Sequence, residues 1–375
     1  MKITGIELFE IRVPLKHTYT LSRVIGSKES TECVLVKLHT DGEIQGIGEA
    51  DPHVPFTEES MESISSCILN YLAPVLMGKD PEDIGEINLL MDREVKLNLM
   101  AKGAIDMACH DVSGKSKGLP VHEMLGSKNR DSIPLVWSVG NSLPERTLED
   151  IRGVYDQGYR TVMIKTGHLE PATDLQRVRL ARETWPDLKI IVDVNQGWDV
   201  DTAIAVGREM ESLAIEFLEQ PVPYWDIEGL SKIRKAILIP LSVDESLLTI
   251  HDAHRIIREG AADIFSVKVS KNGGITRTSE LIELARENGM KCWMNSMLEE
   301  GVTQAASLQL GLIASNLLNI GHAFFSPLRL AEDISTYSEN IGGVEIFPSL
   351  MPGLGIELKD NVIRKYLLTE SSHGI

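Results

Sequence analysis

Residues 189–195 (KIIVDVN), 215–220 (IEFLEQ) and 239–245 (IPLSVDE) repeat one pattern, a short apolar run that ends in a carboxylate. The three carboxylates are Asp193, Glu219 and Asp244. Glu219 follows Asp193 by 26 residues and Asp244 follows Glu219 by 25 residues, so each interval has the length of one strand–helix unit. The repeat predicts neighbouring parallel strands that carry their acids at the same, C-terminal edge.

The same alternation continues from about residue 130, where short apolar runs alternate with amphipathic helical stretches. The predicted strands are residues 134–139, 161–165, 189–193, 214–219, 239–244, 264–268, 291–295 and 318–322. Helical spacing lies between them, for example at residues 174–183, 202–210, 252–260 and 277–288. Eight strands alternating with helices predict an α/β fold with a (β/α)8-type, modified TIM-like barrel. An open doubly wound sheet is the alternative, but the glycine fingerprint that normally follows its first strand is missing.

The N-terminal third has a different pattern. Residues 1 to about 50 alternate like strands, and residues 57 to about 116 show helical spacing, with Pro81 opening one helix and Gly114 and Gly118 closing the last. Strands followed by helices predict an α+β domain. Strand and turn signals reappear after about residue 330, and we expect this tail to return to the N-terminal domain. The predicted units are an α+β capping domain at residues 1–128, the barrel with the active site at 129–328, and the returning C-terminal segment at 329–375.

Length, charge and cysteine usage narrow the class of protein. A chain of 375 residues is long enough for two domains, and its apolar runs are shorter than the roughly 18–20 residues of a membrane span. The formal charge of −18, without a cluster of Lys and Arg, argues against a nucleic-acid partner. The four cysteines lack CxxC spacing, which predicts buried free thiols. We therefore expect a cytoplasmic protein that binds neither nucleic acid nor membrane.

The three carboxylates would meet in one small volume on the active-site face of a barrel. Like charges so close repel unless a cation lies between them, and an all-oxygen ligand set favours Mg²⁺, with Mn²⁺ as the other candidate. The alternative is that each acid caps the helix that follows it, which is common for a single Asp. Because all three occur in register, the pattern favours a metal site formed by Asp193, Glu219 and Asp244.

Two lysines end predicted strands in the same way. Lys165 closes the run VMIK, 28 residues before Asp193, and Lys268 closes FSVK, 24 residues after Asp244. The second and sixth strands of a barrel lie opposite each other, so the two ammonium groups would face the two sides of a substrate. A lysine base near neutrality needs its pKa lowered from about 10.4 to roughly 7–8, and we expect a metal and partial burial to lower it. Solvated lysines at strand ends are the alternative.

An ordered set of motifs runs along nearly the whole chain. The motifs are AIDMACHDV at residues 104–112, Asp193-Val194-Asn195, Glu219-Gln220-Pro221, Asp244-Glu245-Ser246, and Lys268 with Gly273-Gly274-Ile275. This set resembles the enolase superfamily, specifically the muconate-lactonizing-enzyme subgroup of its mandelate racemase/muconate lactonizing enzyme family. The resemblance implies that the three carboxylates bind the metal and that Lys165 and Lys268 are the catalytic acid and base.

The chain departs from that family at two places. The subgroup usually has Lys-x-Lys at the second strand, whereas here Met163 holds the first position and only Lys165 remains. At the eighth strand, dipeptide epimerases have an Asp-x-Asp pair for the substrate's ammonium group, and cycloisomerases often have an acid. Here Ala323 and Phe325 occupy that segment, which weakens the cases for a dipeptide epimerase and for an ordinary muconate cycloisomerase.

The resemblance implies Mg²⁺-dependent abstraction of the proton α to the carboxylate of a small-molecule substrate, through an enediolate that the metal stabilises. Two opposed lysines favour a racemase or epimerase, and we expect it to act on an amino-acid or proline derivative. Dehydration of a hydroxy acid or hydroxyproline, a lyase reaction, is the second alternative, and cycloisomerisation is the third. A barrel that only binds a small acid is the non-enzymatic alternative. The family also implies a homo-oligomer, a dimer or an octamer.

By resemblance, substrate choice depends on capping-domain loops at residues 17–27 and 52–58. Exposed Arg and His side chains in such loops are often only solvated, and aromatic or Met residues beside a strand are often plain core. The predicted substrate-binding residues are Asn195, Tyr19, Arg23, His53, Phe56, His168, Met297, Glu299 and Phe324.

Overall fold

The structure is a computed structural model that describes residues 1–374. Its first elements are β1 (Ile3–Thr20), β2 (Ser27–Thr40), β3 (Gln45–Ala50), α1 (Met61–Cys67), a π-helical turn (Ile68–Leu72), α2 (Ala73–Leu76), α3 (Ile84–Glu94), α4 (Leu99–Lys117) and α5 (Val121–Leu125). The next are β4 (Ile133–Pro134), β5 (Trp137–Val139), α6 (Pro144–Asp156), β6 (Thr161–Lys165), α7 (Pro171–Thr184), β7 (Lys189–Asp193), α8 (Val200–Met210), β8 (Phe217–Glu219) and α9 (Ile227–Ala236). The last are β9 (Leu241–Val243), α10 (Ile250–Glu259), β10 (Ile264–Val267), α11 (Gly274–Glu287), β11 (Lys291–Met294), α12 (Gly301–Ile313), β12 (Ile341–Gly342), β13 (Glu345–Ile346), α13 (Asp360–Tyr366) and β14 (Leu367–His373).

An antiparallel sheet with the strand order β14-β1-β2-β3 joins the two ends of the chain. β14 runs antiparallel along β1, with Ile6 opposite His373. Ile6 and Leu8 of β1 are fully buried because successive side chains of a strand point to opposite faces and this face packs on the capping helices. The expected α+β capping domain, completed by the C-terminal strand, is confirmed.

β3 lies unusually close to α4, and two glycines permit this approach. A Cβ on Gly48 would lie 1.8 Å from the Ala104 carbonyl oxygen, and a Cβ on Gly46 would lie 2.1 Å from the Ala108 carbonyl oxygen. Both distances are far below van der Waals contact, so no side chain fits at either position.

Seven parallel strands follow one another in the order β5-β6-β7-β8-β9-β10-β11. Parallel bridges from Leu135 to His322 and from Cys292 to Leu317 join the segment at residues 317–322 to both edges of this sheet. The helices between the strands cover the outside, and the α/β fold with a TIM-like barrel is confirmed. The carboxyl ends of all seven strands therefore lie on one face.

The predicted eighth strand at residues 318–322 contributes only isolated bridges. The ladder is interrupted because the Met294 amide donates to the side-chain Nδ1 of His322, at 3.0 Å, instead of to a backbone carbonyl. Burial lowers the pKa of His322 to about 3, so its ring is neutral, and Nε2 donates to the Leu318 carbonyl. A side chain thus replaces a main-chain acceptor that the sequence pattern could not show.

Two boundaries also differ from the sequence prediction. α3 begins at Ile84 rather than at Pro81, because the Asp83 side chain accepts the Glu86 amide and caps the helix there. In the tail, β13 pairs with β4 through Ile346 and Ile133 rather than with the capping sheet. The tail therefore contributes β14 to the capping sheet and forms a separate three-stranded sheet with the order β12-β13-β4.

The four cysteines are buried and free, as their spacing predicts. Burial raises the pKa of each thiol, to about 11 for Cys67, which keeps the thiols protonated at neutral pH. Within residues 1–374, none of the helices has both the length and the apolar character needed to span a membrane.

We expect Gly48→Ala to destabilise the protein, because the new methyl group would overlap the Ala104 carbonyl of a buried helix. Forced overpacking of this kind costs about 1–3 kcal/mol in the free energy of unfolding, measured by urea denaturation. Gly153→Ala is the matched control, since Gly153 is exposed in α6 and a Cβ there meets nothing within 4 Å. The control should be neutral or more stable by about 0.5–1 kcal/mol, and equal effects of the two substitutions would contradict the close approach of β3 and α4.

Candidate active site

The three predicted carboxylates lie side by side at the carboxyl ends of the central strands. Asp193 ends β7, Glu219 ends β8, and Asp244 directly follows β9. In the strand register Asp193 is opposite Glu219, and Lys165 at the end of β6 is opposite Asp193. All three acids have 0% relative exposure.

Asn295 shows how closely the acids of neighbouring strands approach. Its Nδ2 donates to Glu219 Oε1 at 2.8 Å and lies 3.5 Å from Asp244 Oδ2. Burial raises the pKa of Glu219 well above its usual value, and the charges of Asp193 and Asp244 raise it further. Glu219 therefore interacts electrostatically with both neighbouring acids, although the ligand atoms of the three do not all lie within 4.8 Å of one another.

Lysines neutralise these buried acids. Lys165 Nζ contacts Asp193 Oδ2, and Lys268 Nζ donates to Asp244 Oδ2 at 2.6 Å. Lys271, which the sequence reading missed, donates to Asp244 Oδ1 at 2.9 Å. Burial alone would raise the pKa of Asp244, but Lys268 and Lys271 outweigh it and lower that pKa to about 2.

The pKa of Lys165 differs in direction from the sequence expectation. Burial lowers it, but the charge of Asp193, followed by Tyr19 and Glu219, more than offsets burial and raises the pKa above its ordinary value. The expected lowering therefore requires that something other than Lys165 neutralise Asp193. A divalent cation bound to the same carboxylate oxygens would compete with the ammonium group in this way.

The donor set fits such a cation. Glu219 Oε2 is buried and, within residues 1–374, has no hydrogen-bond partner. An orphaned carboxylate oxygen inside a protein is costly unless a cation or proton satisfies it. Asp193, Glu219 and Asp244 offer only carboxylate oxygens, the ligand type that Mg²⁺ prefers.

A small cavity of about 40 Å³ is lined by both lysines, Lys165 and Lys268, which contact Asp193 and Asp244; the three acids themselves do not line it. Five of the predicted substrate-binding residues line it: Tyr19, His53, Phe56, Asn195 and Met297. The Phe56 ring lies 4.2 Å from Lys268 Nζ, so the loop at residues 52–58 covers one lysine directly.

Four other predicted residues do not line this cavity. His168 is exposed, and Arg23 donates from Nε to the Gly167 carbonyl at 3.2 Å. Glu299 is buried and accepts the Met297 amide at 2.7 Å, so it shapes the loop that carries Met297. Phe324 packs outward against α12, within reach of a Cβ on Gly311.

The flanking residues of Phe324 take the inward positions. Ala323 and Phe325 line the cavity, together with Met163 and Trp293. Alternate residues of an extended segment face opposite sides, so the inward faces of 323 and 325 place 324 outside. The Asp-x-Asp pair of dipeptide epimerases corresponds to residues 323 and 325, and this correspondence is the signal that favours Phe325 over Phe324.

His53 contributes a neutral hydrogen-bond acceptor to the cavity. Burial, reinforced by the charge of Lys28, lowers its pKa to about 3. Nδ1 lies 3.2 Å from the Met297 carbonyl and must donate to it, because a carbonyl only accepts. Nε2 is then the lone-pair nitrogen, and it is buried without a partner among the described residues.

Arg177 fixes the backbone at Lys165. Its guanidinium is fully buried and donates to the Lys165 carbonyl at 2.7 Å, to the Gly140 carbonyl at 2.8 Å and to Asp174 at 3.1 Å. Arg177 thereby links the carboxyl ends of β5 and β6 through charge-assisted hydrogen bonds, and these bonds fix the position of the Lys165 backbone beside the cavity.

Comparison with known proteins covers both parts of the chain. Residues 5–126 match the family model described as mandelate racemase / muconate lactonizing enzyme, N-terminal domain, and residues 146–362 match the model described as enolase C-terminal domain-like. The chain is 32% identical to the N-succinyl-L-Arg/Lys racemase of Bacillus cereus, covering 97% of this chain and 98% of the relative. It is 34% identical to the L-Ala-D/L-Glu epimerase of Bacillus subtilis (95% and 97% covered) and 31% identical to the chloromuconate cycloisomerase of a Pseudomonas species (98% and 99% covered).

Solved structures agree with these sequence matches. The N-succinyl Arg/Lys racemase of Bacillus cereus superposes with a TM-score of 0.94 over 100% of both chains, at 30% identity. The dipeptide epimerase of Cytophaga hutchinsonii, complexed with Mg and the dipeptide D-Ala-L-Val, superposes with a TM-score of 0.91 over 99% and 100% of the two chains, at 29% identity. Relatives of this chain thus include racemases, epimerases and cycloisomerases, and one of them binds Mg together with a small carboxylate. The chain belongs to the mandelate racemase/muconate lactonizing enzyme family of the enolase superfamily.

Proposed function

We propose that this protein is a Mg²⁺-dependent racemase or epimerase that moves the proton α to the carboxylate of an amino-acid derivative. The observation that carries the proposal is the placement of Lys165 and Lys268 on the two flanks of the carboxylate row, at β6 and after β10, with both lining one cavity. Racemisation needs a proton acceptor on one face of the α-carbon and a proton donor on the other.

Asp193, Glu219 and Asp244 would hold the metal, whose role when bound is to stabilise negative charge that develops on the substrate carboxylate as the α-proton leaves. The lysines supply the proton chemistry. One Nζ accepts the α-proton, and the other Nζ donates a proton to the opposite face of the same carbon. Arg177 keeps the Lys165 backbone in place, and Phe56 shields Lys268 from water.

The lining of the cavity supports a substrate whose nitrogen is not a free ammonium group. Within the described part of the chain, the lining contains no Asp or Glu, and Ala323, Phe325 and Met163 are apolar. A buried ammonium group without a carboxylate partner is strongly disfavoured. An amide N–H instead suits the free Nε2 of neutral His53. We therefore propose N-acylated amino acids as the substrate class, a description that also fits the name of the Bacillus cereus relative.

Cycloisomerisation is the second candidate, favoured by the 31% identity to a chloromuconate cycloisomerase. That reaction needs one lysine, whereas racemisation in both directions needs two. The number of lysines that exchange a proton with substrate therefore separates the candidates.

We expect Lys165→Ala and Lys268→Ala each to abolish exchange of the α-proton for one enantiomer of an N-acyl amino acid, because each lysine serves one face. The loss should be about 10²-fold or more, measured by ¹H NMR in D₂O with separate D and L substrates. Lys291→Ala is the matched control, since Lys291 is exposed at the opposite end of a barrel strand.

If only one of the two variants lost α-proton exchange, and lost it for both the D and the L substrate, a one-base reaction such as cycloisomerisation would be favoured. Exchange that survives in the double variant Lys165→Ala/Lys268→Ala would exclude the proposal. Asp193→Asn should eliminate exchange in either case, because it removes a proposed metal ligand.

We expect N-acetyl amino acids to exchange their α-proton with kcat/KM about 10²-fold or more above the corresponding free amino acids, since the cavity offers no carboxylate to an ammonium group. Paired substrates that differ only in the acetyl group, assayed by the same NMR method at equal metal concentration, make the comparison. Equal rates for free and acetylated forms would exclude this substrate class and leave the two-lysine chemistry standing.

A further inference from the structure

A second group of carboxylates lies buried between the capping sheet and the barrel. Glu49 belongs to β3, Asp51 follows β3, and Glu300 immediately precedes α12. One oxygen from each residue lies within 4.8 Å of the others, and their relative exposures are 0%, 3% and 0%.

Protein donors reach each of the three acids. The Val302 amide donates to Glu49 Oε2 at 3.0 Å, and Thr303 Oγ1 donates to Asp51 Oδ2 at 2.7 Å. Glu300 accepts from a threonine hydroxyl in the same manner through Oε1. The second oxygens, Glu49 Oε1, Asp51 Oδ1 and Glu300 Oε2, are buried and have no partner within residues 1–374. Each acid thus keeps one buried oxygen without a geometrically good donor, and the carboxyl groups of Glu49 and Asp51 lie close enough to interact directly.

The charge of this group is not balanced by side chains. None of the described Lys, Arg or His residues forms a salt bridge with Glu49, Asp51 or Glu300, in contrast to the lysine-paired acids of the active site. The N-terminus of α12 supplies roughly half a positive charge. Three ionised carboxylates then retain an excess of roughly 2.5 negative charges, most of which one divalent cation would neutralise.

We propose that Glu49, Asp51 and Glu300 form a second divalent-cation site, separate from the proposed catalytic metal and independent of the proposed function. Three converging carboxylate oxygens favour a hard cation such as Mg²⁺, Mn²⁺ or Ca²⁺. A cavity of about 370 Å³ that reaches Thr31, Asp51 and His53 gives a route from the surface.

The position of the site suggests what its occupation does. Asp51 precedes the loop that carries His53 and Phe56, and its backbone amide donates to Ser270 Oγ at 3.1 Å, two residues beyond Lys268. Glu300 follows the loop that carries Met297. A cation at this point would hold together the two loops that cover the substrate cavity and would fix the capping sheet to α12.

Protonation of two of the three carboxyl groups is the competing way to remove the charge. Burial, together with the charge of Asp51, raises the pKa of Glu300 to about 8, and burial also raises the pKa values of Glu49 and Asp51. The two explanations predict different numbers of Mn²⁺ ions bound per chain, so a metal titration distinguishes them.

The test counts Mn²⁺ sites on the full-length protein. Chelator-treated protein is titrated with Mn²⁺ at pH 8, and free Mn²⁺ is measured by electron paramagnetic resonance. The wild type should bind two Mn²⁺ per chain, Glu300→Gln one, and Asp193→Asn one. Glu283→Gln, an exposed acid on α11, is the matched control and should bind two. Asp51→Asn replaces Glu300→Gln if circular dichroism shows that the latter does not fold.

An unchanged Mn²⁺ count in both Glu300→Gln and Asp51→Asn would overturn the second site and assign protons to this group. A count that falls with Glu300→Gln but not with Asp193→Asn would support the second site and contradict the metal of the proposed function. The two proposals therefore fail separately. Thermal unfolding provides a further readout: Mn²⁺ should raise the midpoint of Asp193→Asn but not that of the Asp193→Asn/Glu300→Gln double variant.

Discussion

Three fully buried carboxylates at the ends of neighbouring strands are the constraint on which the rest of this structure depends. Asp193, Glu219 and Asp244 have no exposed surface, and an unpaired buried carboxylate costs far more than a folded protein of this size can tolerate. Positive charge must therefore be delivered to the same place. Lys165, Lys268 and Lys271 deliver it from the strand ends and loops on either side.

This neutralisation connects stability with chemistry. Two of the lysines that cancel the buried charge, Lys165 and Lys268, are also the proposed acid and base, and a lysine that is held protonated by a carboxylate is a weak base. Asp193 holds the pKa of Lys165 high in the present arrangement. A divalent cation on the carboxylates would take over part of the neutralisation and lower the cost of a neutral lysine. Binding of a divalent cation to these carboxylates would therefore lower the pKa of the neighbouring lysines.

The sequence predicted the parts that depend on period and on spacing. β6 and β7 coincide with the apolar runs at residues 161–165 and 189–193. The agreement is expected because a parallel strand that is buried on both faces is a nearly continuous apolar run. The shared edge of parallel strands then made the gathering of the three acids predictable. Lys271 escaped prediction because it reaches the acids from a loop, where no periodicity indicates direction.

Features that depend on contacts between distant segments were beyond the sequence. Glu49 and Glu300 are about 250 residues apart, and only the close approach of β3 to the barrel brings them together. The inward position of Phe325, by contrast, was predictable, because residues 323 and 325 correspond to the substrate-binding Asp-x-Asp pair of dipeptide epimerases. Arg23 was expected at the substrate, but its guanidinium is occupied by backbone carbonyls of a neighbouring loop.

Anomalous X-ray diffraction from crystals grown with Mn²⁺ tests the central claim most directly. The account predicts a peak coordinated jointly by Asp193, Glu219 and Asp244, with Lys165 and Lys268 on its two sides. The account would be contradicted by a map that shows no peak between the three acids and the lysines still bound to Asp193 and Asp244. Fully occupied Mn²⁺ elsewhere in the same crystal would show that the metal was available.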